Sequence, residues 1–402
     1  FCRAIVESIG ANRTLRGVGG TVRFTPTARY AQIVDDALAG PTPVHRLTTS
    51  SNSITLLGDR LFLKAYRRLQ SGVSPELEVG RHLTDVVGFE HCVPVAGSVE
   101  FHAEDGSVWA LALLQAHMDN QGDAWEFTVG QLTRLLEAHL RAEQEATADT
   151  GLMLERARVL ARRVAELHLA LARVTGDAAF DPEPVRQADL EHWAAGAGDE
   201  FRRTLAELSR RHADWPEPLG SLAGRIIGAA AQLESRIAKV AQTAPTGLKT
   251  RLHGDLHLQQ VLLQRDDFLI IDFEGEPQRP LEQRRAKHSA LRDVAGMLRS
   301  FDYARHTALH QTGQGSVELT RLAIPARQWE RDVRGAFMQS YRDVVVAGGL
   351  YANDAAFDAV QPLLDLFELE KAMYELRYEM DNRPDWIGVP LAGIAALAGL
   401  ST

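Results

Sequence analysis

The feature that most constrains the fold is the stretch at residues 251–277, RLHGDLHLQQVLLQRDDFLIIDFEGEP. Two short apolar runs, Val261-Leu262-Leu263 and Phe268-Leu269-Ile270-Ile271, flank the polar tetrad Gln264-Arg265-Asp266-Asp267. Runs of that length and composition around a polar turn predict a tight β-hairpin. A hairpin brings the loop before its first strand close to the end of its second. Asp255, Gln260 and Asp272 are therefore expected to converge, although seventeen positions separate the two carboxylates.

At 402 residues the chain exceeds one ordinary core, so two or three lobes are expected. No run is long enough to span a bilayer, and the N-terminus lacks a signal-peptide pattern. The two cysteines, Cys2 and Cys92, argue against a disulfide framework or a cysteine zinc site and for a reducing compartment. A net charge of −9 leaves no footprint for nucleic acid. A soluble, cytoplasmic protein with no membrane or nucleic-acid partner is the expectation. The first residue is Phe1 rather than Met, which suggests a fragment or a processed or fused segment.

Residues 1–45, with several glycines and the alternating run Thr21-Val22-Arg23-Phe24, read as a β-containing cap or the tail of a preceding module. Residues 46–119 read as a small lobe. Within it, a hairpin turns near Gly58-Asp59, and its second strand carries Lys64, the only ionised side chain of an apolar run. An edge lysine snorkelling to water is the plain alternative. Ser74-Pro75-Glu76 predicts a helix start with serine as cap. Glu76, Val79 and Leu83 share one face, so Glu76 points inward and needs a cation there. A solvent-facing glutamate favoured by the helix dipole is the competing reading. Glu78 lies on another face and is the weaker candidate.

Residues 108–118 predict a buried strand leading into a hinge at 119–123. From there to residue 402 a large helical lobe is expected, with the looser loops at 175–218. His168 flanks a core stripe and reads as a structural histidine. The last long helix is expected at about 359–380. Phe367, Glu370, Tyr374, Arg377 and Asp381 form a row on it that would suit a sugar-binding wall, a solvated face being the alternative.

Three chemistries compete for His253-Gly254-Asp255-Leu256-His257. A metal hydrolase would need further ligands at matching spacing, and none is evident. A glycosidase with paired carboxylates, Asp255 and Asp272 or Glu274, leaves Lys64 idle. Phosphoryl transfer uses an acid to accept the acceptor proton, oxygen ligands for Mg²⁺ and a lysine on the nucleotide. Asp255, Gln260 with Asp272, and Lys64 with Glu76 supply that set in chain order.

HGDLHLQQVL followed by IDFEGEP resembles the catalytic and metal loops of the aminoglycoside-phosphotransferase-like kinases. The longer blocks IDFEGEPQRPLEQRRAKHSALRDVAGMLRSFDYA, SSNSITLLGDRLFLKAYRRL, PELEVGRHLT, DNQGDAW and KAMYELRYEMDNRPDW resemble the bacterial maltokinases within that superfamily. The resemblance covers residue 46 onward. It implies an α+β, bilobal, eukaryotic-protein-kinase-like fold with a small, mostly β lobe and a large helical one. It also implies transfer of the ATP γ-phosphate to the anomeric hydroxyl of maltose, with ATP and Mg²⁺ as cofactors and a fused or associated trehalose synthase as a possible partner.

Residue by residue, Asp255 matches the catalytic aspartate, and Gln260 and Asp272 match the metal ligands. Lys64 and Glu76 match the phosphate-binding lysine and its helix partner. Ser51, Asn52 and Ser53 stand where protein kinases carry a glycine-rich phosphate loop. Asp293 matches the aspartate that braces the catalytic loop, and His253 is expected to orient that loop. Asp-Phe-Glu replaces the usual DFG, so Glu274 has no assigned role. Asp123, Trp125, Tyr374 and Arg377 are the candidates for sugar contact. A kinase for another sugar, for an amino sugar such as glucosamine or for an aminoglycoside is the alternative; Arg279, Arg284, Arg285, Lys287 and Arg292 argue weakly against a polycation. A nucleotide-binding pseudokinase or scaffold domain is the non-enzyme alternative.

Overall fold

The computed structural model describes residues 1–34, 43–47, 52–141, 146–313 and 315–400. Short apolar and alternating segments in the first third of the chain build one antiparallel sheet. Its strands are β1 (Thr14–Gly17), β2 (Gly20–Pro26), β3 (Val44–Leu47), β4 (Ser53–Leu57), β5 (Leu61–Ala65), β6 (Val95–Ala103) and β7 (Val108–Ala116). They lie in the order β1-β2-β6-β7-β5-β4-β3. Helices α1 (Cys2–Gly10), α2 (Tyr30–Val34) and α3 (Pro75–Arg81) accompany the sheet. The N-terminal hairpin is thus not set apart from the lobe, because β2 pairs along its length with β6. The boundary expected at residue 45 falls inside β3.

Lys64 lies on β5, between β4 and β7, and not on an edge. Its side chain is buried and reaches Glu76 on α3, which excludes the snorkelling alternative. Helix α3 begins at Pro75 after Ser74, but the serine side chain makes no capping bond. It continues into a π-turn, His82–Val86.

The larger lobe is helical. It contains α4 (Ala124–Arg141), α5 (Ala146–Leu171), α6 (Gln187–Arg211), α7 (Leu219–Gly228), α8 (Ala230–Val240), α9 (Leu281–Arg285), α10 (Leu291–Thr312), α11 (Ser316–Ala347), α12 (Asp354–Asp358), α13 (Gln361–Asn382) and α14 (Gly388–Ala398). Short strands β8 (Glu183–Pro184), β9 (Leu248–Thr250) and β12 (His288–Ser289) form a minor sheet, and β10 (Val261–Gln264) pairs with β11 (Asp267–Ile270). The loop-rich reading of 175–218 is overturned, since α6 fills most of it. Gly196 and Gly198 disguise a stripe of Leu190, Trp193, Ala197, Phe201 and Leu208, all buried. Burial of that stripe outweighs the glycine penalty of about 1 kcal/mol each.

The expected hairpin forms with Val261 opposite Ile270 and Gln264 opposite Asp267. It is fastened to both lobes. Ile270 N donates to His91 O at 2.9 Å, while Gln121 N donates to Leu263 O at 2.8 Å. The connector and the small lobe thereby position the loops at either end of the hairpin. No helix among the described residues is long and apolar enough to cross a membrane.

Candidate functional site

Lys64 is 7 % exposed. Its Nζ lies 3.0 Å from both carboxylate oxygens of Glu76 and 3.2 Å from Asp272 Oδ1, and it also contacts Glu274. Tyr66 donates its hydroxyl to Glu76 at 2.6 Å. Burial alone would lower the Lys64 pKa, but Glu76, Asp272 and Glu274 drive it above its usual value. Burial raises the Glu76 carboxyl; Lys64 opposes this, and Asp272 and Glu274 add to the rise. Three carboxylates thus share one ammonium, and their oxygens lie within 4.8 Å of one another.

That surplus of hard oxygen donors fits a divalent cation such as Mg²⁺. Gln260 donates its amide to Asp272 Oδ2 at 3.2 Å, which leaves the Gln260 carbonyl as a further oxygen. Asp272 holds a left-handed φ of 65°. A residue with a β-carbon adopts that conformation at a cost of about 1–2 kcal/mol, and such strain clusters at functional sites.

Asp293 braces residues 253–255, in the loop before the hairpin. Its carboxylate accepts the His253 and Gly254 backbone N–H groups, both at 2.9 Å, and lies 3.3 Å from His168 Nε2. His168 in turn meets the Tyr341 hydroxyl at 2.8 Å. Burial pushes the Asp293 carboxyl up, but His168, His253 and the backbone bond hold it below the usual range. His253 Nε2 donates to Ile271 O at 2.8 Å, and its Nδ1 accepts from Asp255 N at 3.3 Å. The ring is a strut between the loop and the end of β11. Gly254 has φ +85°, and a Cβ there would come within 3.2 Å of Gly275 Cα. That position requires glycine.

Asp255 faces Lys371, whose Nζ is 3.2 Å from Asp255 Oδ1 and 3.4 Å from Glu276 Oε1. Burial would lower the Lys371 pKa, but Asp255, Glu276 and Glu375 raise it above normal. A cavity of about 620 Å³ opens here, lined by Asp255, Trp125, Glu276, Tyr303 and the α13 residues Lys371, Tyr374, Glu375, Tyr378 and Glu379. Arg299 holds Glu375 Oε2 at 2.9 and 2.7 Å, and Tyr303 and Arg383 hold Glu379. Burial raises the Glu375 carboxyl, against the pull of Arg299 and Lys371.

The structure therefore brings together Lys64, Glu76, Gln260 and Asp272, with Asp255 at the mouth of the cavity. Trp125 and Tyr374 line that cavity, but two expected sugar contacts do not. Asp123 accepts the Glu126 N–H at 2.8 Å and caps α4. Arg377 turns to α6 and pairs with Glu200 at 2.7 Å. The proposed row on α13 is not one wall, because the helix lies between α6 and α10. Phe367 is buried against Trp193, Glu370 pairs with Arg292 and Arg279, and Asp381 pairs with Arg211. Ser51 lies outside the described residues. Asn52 and Ser53 contact Arg67, at 3.4 and 3.0 Å.

Glu276, Lys371, Glu375 and Glu379 escaped the sequence reading. The last three left a trace, a stripe at i, i+4, i+8 on α13, with Tyr374 and Tyr378 interleaved. The basic residues between 279 and 292 make no free positive surface. Arg279 and Arg292 are tied to Glu370, Arg284 to Gln70, Arg285 to Glu78 and Lys287 to Glu183.

No family model matches the chain. It is 26 % identical over 373 residues to a glucosamine kinase of Streptacidiphilus jiangxiensis, covering 91 % of this chain and 76 % of the relative. It is also 26 % identical over 350 residues to a glucosamine kinase of Mycolicibacterium smegmatis, covering 86 % and 77 %. The solved structure of a glucosamine kinase in complex with glucosamine, ADP and inorganic phosphate superimposes with a TM-score of 0.69 at 22 % identity, covering 96 % of this chain and 92 % of that one. The chain shares that fold, a sheet lobe joined to a helical lobe.

Proposed function

We infer that this chain is an ATP-dependent sugar kinase of kinase-like fold whose acceptor is an amino sugar, glucosamine in the first instance. One observation carries the reading. A lysine–glutamate pair with clustered metal-type oxygens lies at the loop after the hairpin, and Asp255, in the loop before it, opens onto a cavity walled partly by acid. Lys64 would hold the nucleotide phosphates, with Glu76 fixing its direction. Asp255 would accept the proton of the acceptor hydroxyl as that oxygen bonds to the γ-phosphorus and the bond to ADP breaks. Asp272 and Gln260, with Glu274 beside them, would hold Mg²⁺. When bound, that ion neutralises charge on the phosphate oxygens. Ser51, Asn52 and Ser53 would lie along the phosphates, and Trp125 and Tyr374 would offer faces to the sugar ring.

The cavity favours glucosamine over the maltose expected from the sequence blocks. Its lining holds four carboxylates, Asp255, Glu276, Glu375 and Glu379, and two cations, Lys371 and Arg383, while Arg279 and Arg299 pair with Glu276 and Glu375 from behind the wall. Carboxylate oxygens on the cavity wall offer an ammonium group charged acceptors, whereas maltose carries no charge to use them. The names of the relatives point the same way. The test is ADP release with ATP–Mg²⁺ and glucosamine, maltose or kanamycin, side by side. Turnover highest with glucosamine is expected; preference for maltose overturns the acceptor assignment, and no transfer to any of them together with no ATP-dependent thermal shift overturns the kinase reading.

A further inference from the structure

Helix α3 carries two glutamates, and only Glu76 faces Lys64. Glu78 stands two residues on, about 200° around the helix, and looks at the large lobe. It accepts a two-pronged pair from Arg285, Nε to Oε2 at 2.9 Å and Nη2 to Oε1 at 2.7 Å, and its Oε2 lies 2.9 Å from Arg251 Nη1. Arg251 comes from the segment that runs into the loop of His253 and Asp255. Arg285 ends α9, the segment that follows Asp272 and Glu274. One carboxylate thus ties the small-lobe helix to the approaches of both functional loops.

The surroundings show how much depends on that carboxylate. The Arg251 side chain is 2 % exposed, and its Nε and Nη2 have no hydrogen-bond partner. It lies over Phe180 at 5.0 Å, and Phe180 is stacked on His82 at 3.7 Å. Among the described residues Glu78 is its one ion-pair partner. Burial alone would raise the Glu78 carboxyl, but the Arg285 bond and the Arg251 charge hold it below the usual range. A buried pair of this kind breaks hard when one member is removed. Helix α3 needs such an anchor because seven residues are too few to fix a helix by themselves.

The same segment is fastened elsewhere. Arg284 donates to Glu274 O at 3.1 Å and reaches Gln70, and Leu281 packs within a bond length or two of where a side chain at Gly72 would begin. At its other end, Arg279 holds Glu276 in the acceptor cavity at 2.6 Å. A continuous strap therefore runs from the acceptor cavity to α3.

We propose that Glu78, gripped by Arg251 and Arg285, is a positioning residue of the nucleotide site: it fixes the rotation and height of α3 so that Glu76 meets Lys64. This rests on the kinase reading of the Lys64–Glu76 pair. Losing the grip frees α3 to turn, and Lys64 is then no longer held in line for the phosphates. The defect falls on the nucleotide and not on the acceptor.

The experiment compares the full chain with Glu78→Gln, Arg285→Gln and Arg285→Lys. ATP–Mg²⁺ binding is titrated directly, and KM is measured for ATP and for glucosamine. Arg285→Gln leaves the buried Glu78–Arg251 contact in place, so it serves where Glu78→Gln fails to fold. The expected result is ATP affinity weakened about tenfold in Arg285→Gln, with KM for glucosamine changed less than about twofold and partial recovery in Arg285→Lys. Unmodified protein that binds ATP–Mg²⁺, with variants that match it or that weaken both substrates equally, overturns the positioning role alone. Unmodified protein that binds no ATP–Mg²⁺ overturns the kinase reading and this one with it.

Discussion

Two lysines stand in rings of carboxylate beside the two loops that one hairpin brings together, and the contrast between them describes the molecule. Lys64 lies on an inner strand against Glu76, Asp272 and Glu274, with its side chain 9 % exposed. Lys371 lies on a long helix against Asp255 and Glu276, with its side chain 28 % exposed and facing a cavity of about 620 Å³. The first ring is closed and holds more acid than its lysine answers, which suits a cation-bridged phosphate. The second is open and wide, which suits an organic acceptor. Like residues do different work because one sits in a sheet interior and the other on a helix flank.

That comparison breaks most sharply at the hairpin loops themselves. Asp255→Ala and Asp272→Ala should each abolish turnover, a loss of at least about 10²- to 10⁴-fold for the base, with circular dichroism and melting temperature near those of the unmodified chain. Either variant turning over near the normal rate in the ADP-release assay defeats the assignment. The two lysines should next separate by substrate. Lys371→Met removes the ammonium that holds Asp255, so turnover of glucosamine should fall about tenfold or more while KM for ATP holds; Lys64→Met should raise KM for ATP and leave KM for glucosamine near normal. Matching defects in both parameters for both variants would show that the rings are not specialised. The smallest effects should fall on the two residues that turned away from the cavity. Arg377→Ala should leave KM for glucosamine unchanged, and Asp123→Ala should lower stability by about 1 kcal/mol through loss of a helix cap, without altering acceptor affinity.

Much of the closed ring was legible before any coordinates. Lys64 interrupts an apolar strand, Glu76 follows Pro75 on the apolar face of a helix, and Asp255 and Asp272 bracket a hairpin. Lys64 and Glu76 are polar residues where the local period demands apolar ones, a conflict visible in sequence, while the two aspartates, one in each ring, were marked by the hairpin between them. The open ring gave no such signal. Lys371, Glu375 and Glu379 sit in a helix crowded with charge, where a solvated face and a cavity wall read alike. Neighbouring residues were misassigned for the same reason: Arg377 shares the helix with Tyr374, but only the packing of α6 against α13 turns it to Glu200.

Glu78 marks the same limit from another direction. Its position on another face from Glu76 followed from the helical period alone, and so did its lower rank as a partner of Lys64. That it would meet Arg251 and Arg285, from more than 170 residues further along the chain, depended on how the lobes close. The sequence by itself determined the hairpin, the inward acid and the strand lysine, because these follow from local period and turn chemistry. Only the tertiary structure decided which of many surface-type charges face a cavity, a partner helix or the other lobe, because long-range charge pairing leaves no periodic trace in the chain.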